Sequence, residues 1–495
     1  MKKLFPPAFA CFTLLSLPIA GCPAQTVSLP PQAPVPSGTV TITVEPGARQ
    51  TFRGFGASLG NWGGEYQSLS PANRALLSQS LWRDLRFNTL RLWFNTDKYA
   101  PTRGARDLAE FRRCYVDSGL IADAQKNGVT TLLLAPDAVP PYMAEKRTDN
   151  SGSAQTGMAL KESETDNYAV LVADFIDQLK KQTGITITVT GVQNEPNNLE
   201  RFTPSQIVRV TRRLRSELDR RGLQSVKIIS PEAGNVDTIF YETVDALRAD
   251  PIAWRGIVGI ASHSYNNSTT PDIAERIAGT GKEYWQTEAS DNGPEEPGDA
   301  LRAATLASRF LNDMNHRVTH WIHFIGFDVA DPRDNATRIF AFTRTPFQLI
   351  RYQKQAYYQQ LSRTFDVGSV FRRSTSDLEG DMTYTYGKKP RVTVAAARNP
   401  DGTWGIGISN FTSPTFEDAE DPKNFEKHNS GYSARTFTVI VRIPEIATRE
   451  TVAFTLHRSN SAVDNAPAGS AVMKNGVVTI PSVRPLDLIT LRSKK

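Results

Sequence analysis

Short runs of hydrophobic and β-branched residues recur between residues 52 and 363, and stretches with the spacing of amphipathic helices lie between them. Strands that alternate with helices predict a parallel sheet, and eight such strands predict a (β/α)8 barrel of the TIM type. We therefore assign residues 51–363 to this barrel. The predicted strands are residues 52–58, 89–95, 130–137, 188–195, 227–232, 257–265, 283–288 and 320–327. The predicted helices are residues 71–84, 108–127, 166–182, 205–221, 240–249 and 299–315.

The pattern changes after residue 363 to alternation of apolar and polar residues without helical spacing. Short alternating strands separated by turn signals are typical of a β-sandwich, which we predict for residues 364–495. A similar strand lies in the segment 39–50, before the barrel. We expect it to join the C-terminal sheet, so that the sandwich is formed from both chain ends. The predicted sandwich strands are residues 382–386, 391–397, 404–410, 436–443, 451–458, 476–480 and 486–491.

The N-terminus has the layout of an export segment. Two lysines precede an apolar stretch, which predicts a signal peptide over residues 1–21. The run that ends in Gly21-Cys22 resembles the bacterial lipoprotein cleavage box, in which the cysteine becomes lipidated. We expect lipid on Cys22, a proline-rich tether over residues 22–38, and an exported protein that is membrane-anchored or secreted. An ordinary secretory signal with an incidental cysteine is the alternative.

Composition narrows the possible partners. The net charge of +6 is small for a chain with 57 basic and 51 acidic residues. The basic stretch at residues 212–221 contains leucines at helical spacing, so a solvated helix face explains it and no nucleic-acid partner is expected. Once the signal is removed and Cys22 is lipidated, Cys114 cannot form a disulfide within the chain. It is expected to be a buried structural thiol.

Two glutamates are the strongest chemical signal. Glu195 follows Gln193-Asn194, and Glu288 follows Gln286-Thr287, so both lie at the ends of predicted strands. Active sites of such barrels are built at the carboxyl ends of the strands. Strands four and seven lie across the barrel from each other, and two facing carboxylates are the catalytic groups of most glycosidases.

Strand parity supplies expected partners for the two glutamates. Alternate residues point to opposite faces, which places Arg91 inside the barrel, where a buried guanidinium needs an anion. His263 and Tyr265 share a face on the sixth strand, and Tyr265 is expected to hydrogen-bond the nucleophile. Asn194 offers an amide for a sugar hydroxyl.

Aromatic residues complete the expected sugar site. Trp62, Trp93 and Trp321 are expected to offer flat faces to sugar rings, whereas parity directs Trp285 toward the helix layer. Together with Asn194, Arg91, His263 and Tyr265, the first three are our predicted substrate-binding residues.

Other groups leave alternatives open. The acids Glu232, Asp137 and Asp328 also end strands and are competing candidates for the catalytic pair. His320 and His323 invite a metal site, but a spacing of three puts them on opposite faces of a strand, and no metal is expected. No cofactor is expected either, because Gly54-Phe55-Gly56 lacks the third glycine of a dinucleotide site.

These motifs resemble glycoside hydrolase family 30, of the clan of retaining (β/α)8 glycosidases. The resemblance rests on residues 52–58, on Thr89-Leu90-Arg91-Leu92, on the run 192–196, on His263-Ser264-Tyr265 and on Thr287-Glu288. It implies Glu195 as acid/base, Glu288 as nucleophile and a sandwich built from both termini. Relatives commonly carry a tryptophan and a serine where this chain has residues 135–139, so the resemblance does not fix the sugar.

The sequence thus predicts a retaining hydrolase of β-linked poly- or oligosaccharides that works through a covalent glycosyl-enzyme. For an acid/base role the pKa of Glu195 is expected to be raised toward roughly 6 to 7 in the free enzyme. The alternative from another class is a non-catalytic, carbohydrate-binding surface lipoprotein on the same barrel. A metal-dependent hydrolase is a further alternative.

Overall fold

The structure is a computed structural model, and it describes residues 37–494 apart from eight gaps. The gaps are residues 60–64, 148–156, 199, 266–270, 379–381, 383–389, 415–431 and 447–449. Trp62, Cys22, the signal segment, nearly all of the tether and most of the predicted strand 382–386 therefore lie outside the described residues.

All eight predicted barrel strands are present. They are β1 (Gly54–Leu59), β2 (Thr89–Asn95), β3 (Thr131–Asp137), β4 (Val189–Thr190), β5 (Lys227–Ile228), β6 (Gly259–His263), β7 (Glu283–Ala289) and β8 (His320–Phe324). Every neighbouring pair is parallel, in the order β5-β4-β3-β2-β1-β8-β7-β6. Bridges from Ile229 to Gly259 and from Ala233 to Ser262 link the two ends of this sheet. The predicted barrel is confirmed.

Helices cover the outside of the barrel, and their starts follow from local sequence. Thr203 and Gln206 form a reciprocal capping box, and Pro204 occupies the first turn, where a missing N–H costs nothing. The helix predicted over residues 108–127 is interrupted at Gly119, whose φ is 81°. The main helices are Pro71–Ser78, Ala109–Phe111, Leu120–Lys126, Thr165–Thr183, Pro204–Arg220, Thr238–Ala249, Pro251–Gly256, Pro271–Ile277, Ala300–Asn315 and Gln353–Thr364, with Gln79–Arg83 and Arg112–Val116 as wider turns that continue the first two.

Apolar side chains fill the barrel interior beneath the site. The cluster consists of Leu133, Val189, Ile229, Ala261, Trp285 and Ile322. The expectation that Trp285 faces the helix layer is therefore wrong. The register of β7 shifts between Gln286 and Glu288, and such a bulge breaks the strict alternation on which the parity argument relied.

A ten-stranded sheet, separate from the barrel sheet, is the second main part of the structure. Ser37–Val44 pairs in parallel with Thr436–Arg442 and antiparallel with Ser374–Ser376, so the sheet does use both ends of the chain. Val40, Ile42 and Val44 on this strand are buried in the sheet's own core. The remaining strands are Val370–Arg372, Val392–Arg398, Trp404–Asn410, Thr451–Ser459, Ala466–Lys474, Val477–Val483 and Leu488–Ser493.

Several smaller elements were not predicted. Phe327–Val329, Phe340–Arg344 and Phe347–Arg351 form a three-stranded sheet after β8, and Ala144–Lys146 pairs with Met158–Leu160 after β3.

Cys114 is buried, which raises the pKa of its thiol. In the described part of the chain, no helix combines the length and apolar character needed to cross a membrane.

Candidate active site

Arg91 is the centre of the hydrogen-bond network inside the barrel. Its side chain on β2 is fully buried. Nη1 donates to Glu288 Oε1 at 2.6 Å, Nε donates to Glu232 Oε1 at 2.9 Å, and Nη2 donates to Asn194 Oδ1 at 2.7 Å. Burial alone would lower the pKa of Arg91, but Glu232 and Glu288 outweigh burial and raise it. The guanidinium therefore remains charged and fixes both carboxylates.

Glu195 leaves the barrel at the loop after β4. Its φ is 47°, and its backbone N–H donates to the carbonyl oxygen of Glu232 at 3.0 Å. Oε2 accepts a hydrogen bond from Asn198 Nδ2 at 2.8 Å. Gly234 faces this carboxylate so closely that a Cβ there would lie 2.9 Å from Glu195 Cδ. The backbone turn and the glycine together position the side chain over the barrel.

Glu288 on β7 faces Glu195 across the site. Tyr265 donates its phenolic hydrogen to Glu288 Oε2 at 2.9 Å. His263 Nδ1 lies 2.8 Å from Glu195 Oε1 and 3.4 Å from Glu288 Oε2. One side-chain atom from each of Glu195, His263 and Glu288 can be chosen so that all three lie within 4.8 Å of one another. The structure thus brings together the residues predicted from strands four, six and seven.

The pKa of Glu195 differs from the expectation drawn from the sequence. Burial alone would raise the pKa of Glu195, but the hydrogen bond and charge of His263, with Asn198, hold it below its ordinary value. Burial alone would lower the pKa of His263, but Glu288 and Glu195 raise it. The expectation of a raised pKa for Glu195 in the free enzyme is therefore wrong. The cause is the hydrogen bond and the charge of His263, which lower the pKa of Glu195.

Glu232 is a third acid in the network. It follows β5, its φ is 64°, and its side chain is completely buried. Burial raises its pKa, although Arg91 and His263 oppose the shift. From sequence alone, Glu232 is a competing candidate for the catalytic pair and nothing more. In the structure it is the second anion of Arg91, and Gly191 leaves room for it, since a Cβ there would lie 1.8 Å from Glu232 Oε2.

Asp137 ends β3 beside the site. Asn194 Nδ2 donates to Asp137 Oδ1 at 3.2 Å, so the amide of Asn194 is oriented by Arg91 on one side and Asp137 on the other. Burial, with a smaller contribution from Glu200, raises the pKa of Asp137 to about 7.

The three tryptophans predicted to contact sugar have different outcomes. Trp93 follows Arg91 on the same face of β2, and the guanidinium carbon lies 5.0 Å from its ring centre. The prediction that Trp321 contacts sugar is wrong. Its side chain is fully buried among Phe55, Phe310 and Tyr358 on the helix side of β8. Trp62 lies outside the described residues and stays a prediction.

The histidines of β8 are engaged in packing. The ring of His320 stacks on Trp285 with 3.3 Å between centroids. His323 Nδ1 lies 2.8 Å from the Tyr358 hydroxyl, and its Nε2 lies 3.0 Å from the carbonyl oxygen of Thr337. Asp328, another competing acid, lies 3.8 Å from Arg338.

Glu195, His263 and Glu288 are also spaced closely enough to hold a metal ion. A cation at that point would face the guanidinium of Arg91, which is 2.6 Å from Glu288. Like charges repel strongly in a buried site. The arrangement therefore suits two acids that act on a neutral substrate better than it suits a metal centre.

Comparison with known proteins agrees with this picture. A family model, Glycosyl hydrolase family 59, matches residues 110–335. None of the curated protein sequences matches the chain. The matching family model is that of family 59 and not that of the predicted family 30, and the likeness to family 30 is one of fold, shared with solved GH30 xylanases.

Solved structures resemble this one over most of its length. A GH30 endoxylanase from Clostridium papyrosolvens C71 has 16% identity and a TM-score of 0.64, over 92% of this chain and 100% of the other. GH30 xylanase C from Talaromyces cellulolyticus has 18% identity and a TM-score of 0.66, over the same shares of the two chains. The endo-β-1,6-glucanase BT3312 has 18% identity and a TM-score of 0.63, over 92% of this chain and 95% of the other. The family model and the shared fold support a glycosidase.

Proposed function

We propose that this protein is a retaining β-glycosidase in which Glu288 is the nucleophile and Glu195 the acid/base. The observation that carries the proposal is the spacing of the two carboxylates, since an oxygen of each lies within 4.8 Å of the other. Retaining glycosidases hold their carboxyl groups about 5 to 5.5 Å apart, whereas inverting enzymes need roughly 6.5 to 9.5 Å to admit water.

The partners of the two acids support different roles. Glu288 is held by hydrogen bonds from Arg91 and Tyr265, which fix the position of its carboxyl group for attack on the anomeric carbon. Glu195 is held by His263 and Asn198 on the opposite side. In the first step Glu288 attacks the anomeric carbon and the leaving oxygen is protonated at Glu195. In the second step Glu195 takes a proton from water as that water displaces Glu288.

The substrate class is part of the proposal. Two of the similar structures are xylanases and one is an endo-β-1,6-glucanase, which favours a β-linked poly- or oligosaccharide. Asn194 is the proposed partner of a sugar hydroxyl next to the anomeric carbon, and Trp93 and Trp62 are proposed to contact sugar rings. We also propose export through residues 1–21 and a lipid on Cys22.

Two site variants test the roles of the two glutamates. Glu288→Gln should abolish turnover because the nucleophile is lost. Glu195→Ala should still turn over aryl glycosides with good leaving groups, and azide should restore its activity. Glu242→Gln, an exposed glutamate on Thr238–Ala249, is the matched control and should keep full activity. Equal losses in the two site variants on an aryl glycoside, without azide rescue, would contradict the roles.

The stereochemistry and the substrate are tested directly. An NMR time course on the first product should show retained anomeric configuration, and an inverted product would overturn the retaining mechanism. A screen of plant, fungal and bacterial glycans should release oligosaccharides without added metal and in the presence of a chelator. Binding to glycans with no product over long incubation would favour the non-catalytic lipoprotein, and loss of activity with the chelator would favour a metal-dependent hydrolase.

A further inference from the structure

Asp137 is a carboxyl group at the mouth of the barrel that the two-step mechanism does not use. It is the last residue of β3, which pairs with β2 without a register shift. Leu133, four residues earlier on β3, lies in the barrel interior, and residues four positions apart share one face of a strand. Asp137 is partly exposed, whereas Arg91, the register partner of Leu133, is fully buried. The Asp137 side chain therefore lies above Arg91 and faces the open end of the barrel.

Contacts from neighbouring segments hold this carboxyl group in place. Asp137 Oδ1 accepts a hydrogen bond from Asn194 Nδ2, in the loop after β4, at 3.2 Å. The backbone N–H of Ala138 donates to the same carboxyl group. Ala138 has a φ of 60°, a left-handed conformation that is uncommon outside glycine, and Thr96 Oγ1 donates to the Ala138 carbonyl oxygen at 2.9 Å. The turn is thus held in an unfavourable conformation that fixes the Asp137 carboxyl group beside Asn194.

Asn194 connects Asp137 to the reacting centre. Its Oδ1 accepts a hydrogen bond from Arg91 Nη2 at 2.7 Å, and Arg91 also holds Glu288. Nδ2 carries two hydrogens, and one of them is donated to Asp137. Within the described residues the second hydrogen has no acceptor. It is therefore available to the sugar hydroxyl at C2, the carbon next to the anomeric carbon, which the proposed function assigns to Asn194.

We propose, on the basis of the glycosidase function above, that Asp137 binds the hydroxyl at C3 of the sugar whose anomeric carbon is attacked. Hydroxyls on adjacent ring carbons are neighbours, and Asp137 Oδ1 is the neighbour of Asn194 Nδ2 at 3.2 Å. Asp137 lies one hydrogen bond farther from Glu288 than Asn194 does, as C3 lies one bond farther from the anomeric carbon than C2 does. A carboxylate that accepts a hydroxyl hydrogen makes a charge-assisted hydrogen bond, which is roughly twice as strong as a neutral one. A free hydroxyl at C3 is thus a requirement for efficient cleavage.

The proposal also restricts the linkage of the substrate. In a linear β-1,3-linked chain, the oxygen at C3 of each internal sugar carries the next sugar, so it has no hydrogen to donate to Asp137. Chains joined through C4 or C6 leave that hydroxyl free. The substrate class is therefore a β-linked glycan in which the cleaved sugar is not substituted at C3.

Deoxy sugars test which hydroxyl Asp137 contacts. Nitrophenyl β-glycosides of glucose, galactose and xylose are assayed first, and the fastest is compared with its 2-deoxy and 3-deoxy analogues. Loss of the hydroxyl at C3 should lower kcat/KM of the wild type by about 10- to 100-fold, the worth of a hydrogen bond to a charged group. In Asp137→Ala the parent glycoside should lose a similar factor, so that the 3-deoxy analogue reacts as fast as the parent. The penalty for the 2-deoxy analogue should remain, because Asn194 is still present.

The same comparison separates contact with sugar from a purely structural role. If Asp137 only orients Asn194, Asp137→Ala will reduce the 2-deoxy penalty and leave the 3-deoxy penalty unchanged, which overturns the inference. A 3-deoxy penalty that is absent in the wild type overturns it as well. Glu110→Gln is the matched control, since Glu110 accepts hydrogen bonds from Asn95 at the end of β2 but belongs to the helix Ala109–Phe111 outside the barrel. Both penalties should keep their wild-type size in that variant.

A crystal structure of the wild-type enzyme trapped with a 2-deoxy-2-fluoro glycoside gives a direct measurement. The fluoro sugar keeps the hydroxyl at C3 and is bound through its anomeric carbon to Glu288. We expect an Asp137 oxygen within about 3 Å of the oxygen at C3, the usual distance of such a hydrogen bond. An oxygen at C3 that contacts other groups and not Asp137 would overturn the inference. This measurement stands even if Asp137→Ala does not fold.

Glycan products test the linkage rule and separate the inference from the proposed function. Linear β-1,3-glucan should yield no oligosaccharides, and their release would overturn the inference. If the wild type cleaves no glycoside and the fluoro glycoside leaves no covalent mass on it, the glycosidase proposal itself fails. If the wild type cleaves glycosides but its 3-deoxy penalty does not depend on Asp137, only the inference fails.

Discussion

Replacement of Arg91 by methionine removes the guanidinium that holds two buried carboxylates and leaves a side chain of similar length. The side chains of Arg91 and Glu232 are completely buried, and that of Glu288 is 5% exposed. A broken buried ion pair costs about 3 to 5 kcal/mol, because the remaining charge is uncompensated. At roughly 2 °C per kcal/mol for a large domain, we expect the melting temperature at neutral pH to fall by about 6 to 10 °C.

The loss should depend on pH with a definite sign. Burial already raises the pKa of Glu232 in the folded protein, and removal of Arg91 raises it further. A carboxyl whose folded pKa lies above its unfolded value stabilises the protein below the unfolded pKa of about 4.3 and loses that contribution as pH rises. The difference between wild type and Arg91→Met should therefore be small near pH 4 to 5 and grow toward pH 8.

Calorimetry of both proteins across this pH range is the assay. The double variant Arg91→Met/Glu232→Gln is the control. It removes one of the two carboxylates that lose their partner, so it should recover part of the loss of melting temperature at pH 8. A deficit of the same size at pH 5 and pH 8 would refute the electrostatic reasoning and indicate that Arg91 contributes mainly by packing.

Two further predictions concern residues beside this network. Gly191→Ala would place a Cβ 1.8 Å from Glu232 Oε2, so we expect loss of both activity and thermal stability, whereas Gly256→Ala, whose nearest contacts would be at 3.5 Å, should change neither appreciably. Asp137→Asn should remove a titration near pH 7, because burial raises the pKa of Asp137 to about 7. The wild type loses stability from this group as pH rises toward 7, so the melting temperature of Asp137→Asn relative to wild type should rise with pH and level off above about 7; a constant difference across pH 5 to 8 would count against a raised pKa.

The barrel could be predicted from sequence because each strand repeats the same simple pattern. Thr89–Asn95 alternates between the barrel interior and the helix layer along its whole length, so parity placed Arg91 and Trp93 correctly. Parity failed on β7, and the choice of Trp321 on β8 rested on residue type alone. A register shift in β7 turned Trp285 inward, and Trp321 on the neighbouring strand faces the helices.

The site could be predicted only at the level of residue types. Short local motifs identified Glu195 and Glu288, because Glu288 lies near the end of β7 and Glu195 lies in the loop that follows β4. The role of Glu232 as the second anion of Arg91 could not be predicted, since the contact joins residues 141 positions apart. The pKa directions of Glu195 and His263 could not be predicted either, because they depend on the 2.8 Å distance between two side chains from different strands.

The first strand of the described chain sets an order of events during synthesis. Ser37–Val44 leaves the ribosome early, but its parallel partner Thr436–Arg442 is made only after the barrel. Until then the edge that pairs with Thr436–Arg442 has no partner, and an unpaired edge of this kind is a template for association with other chains. A deletion of Ser37–Val44 would remove a strand from inside the ten-stranded sheet and not a peripheral segment. It would open the sheet between Thr436–Arg442 and Ser374–Ser376 and leave the latter without its strand neighbour.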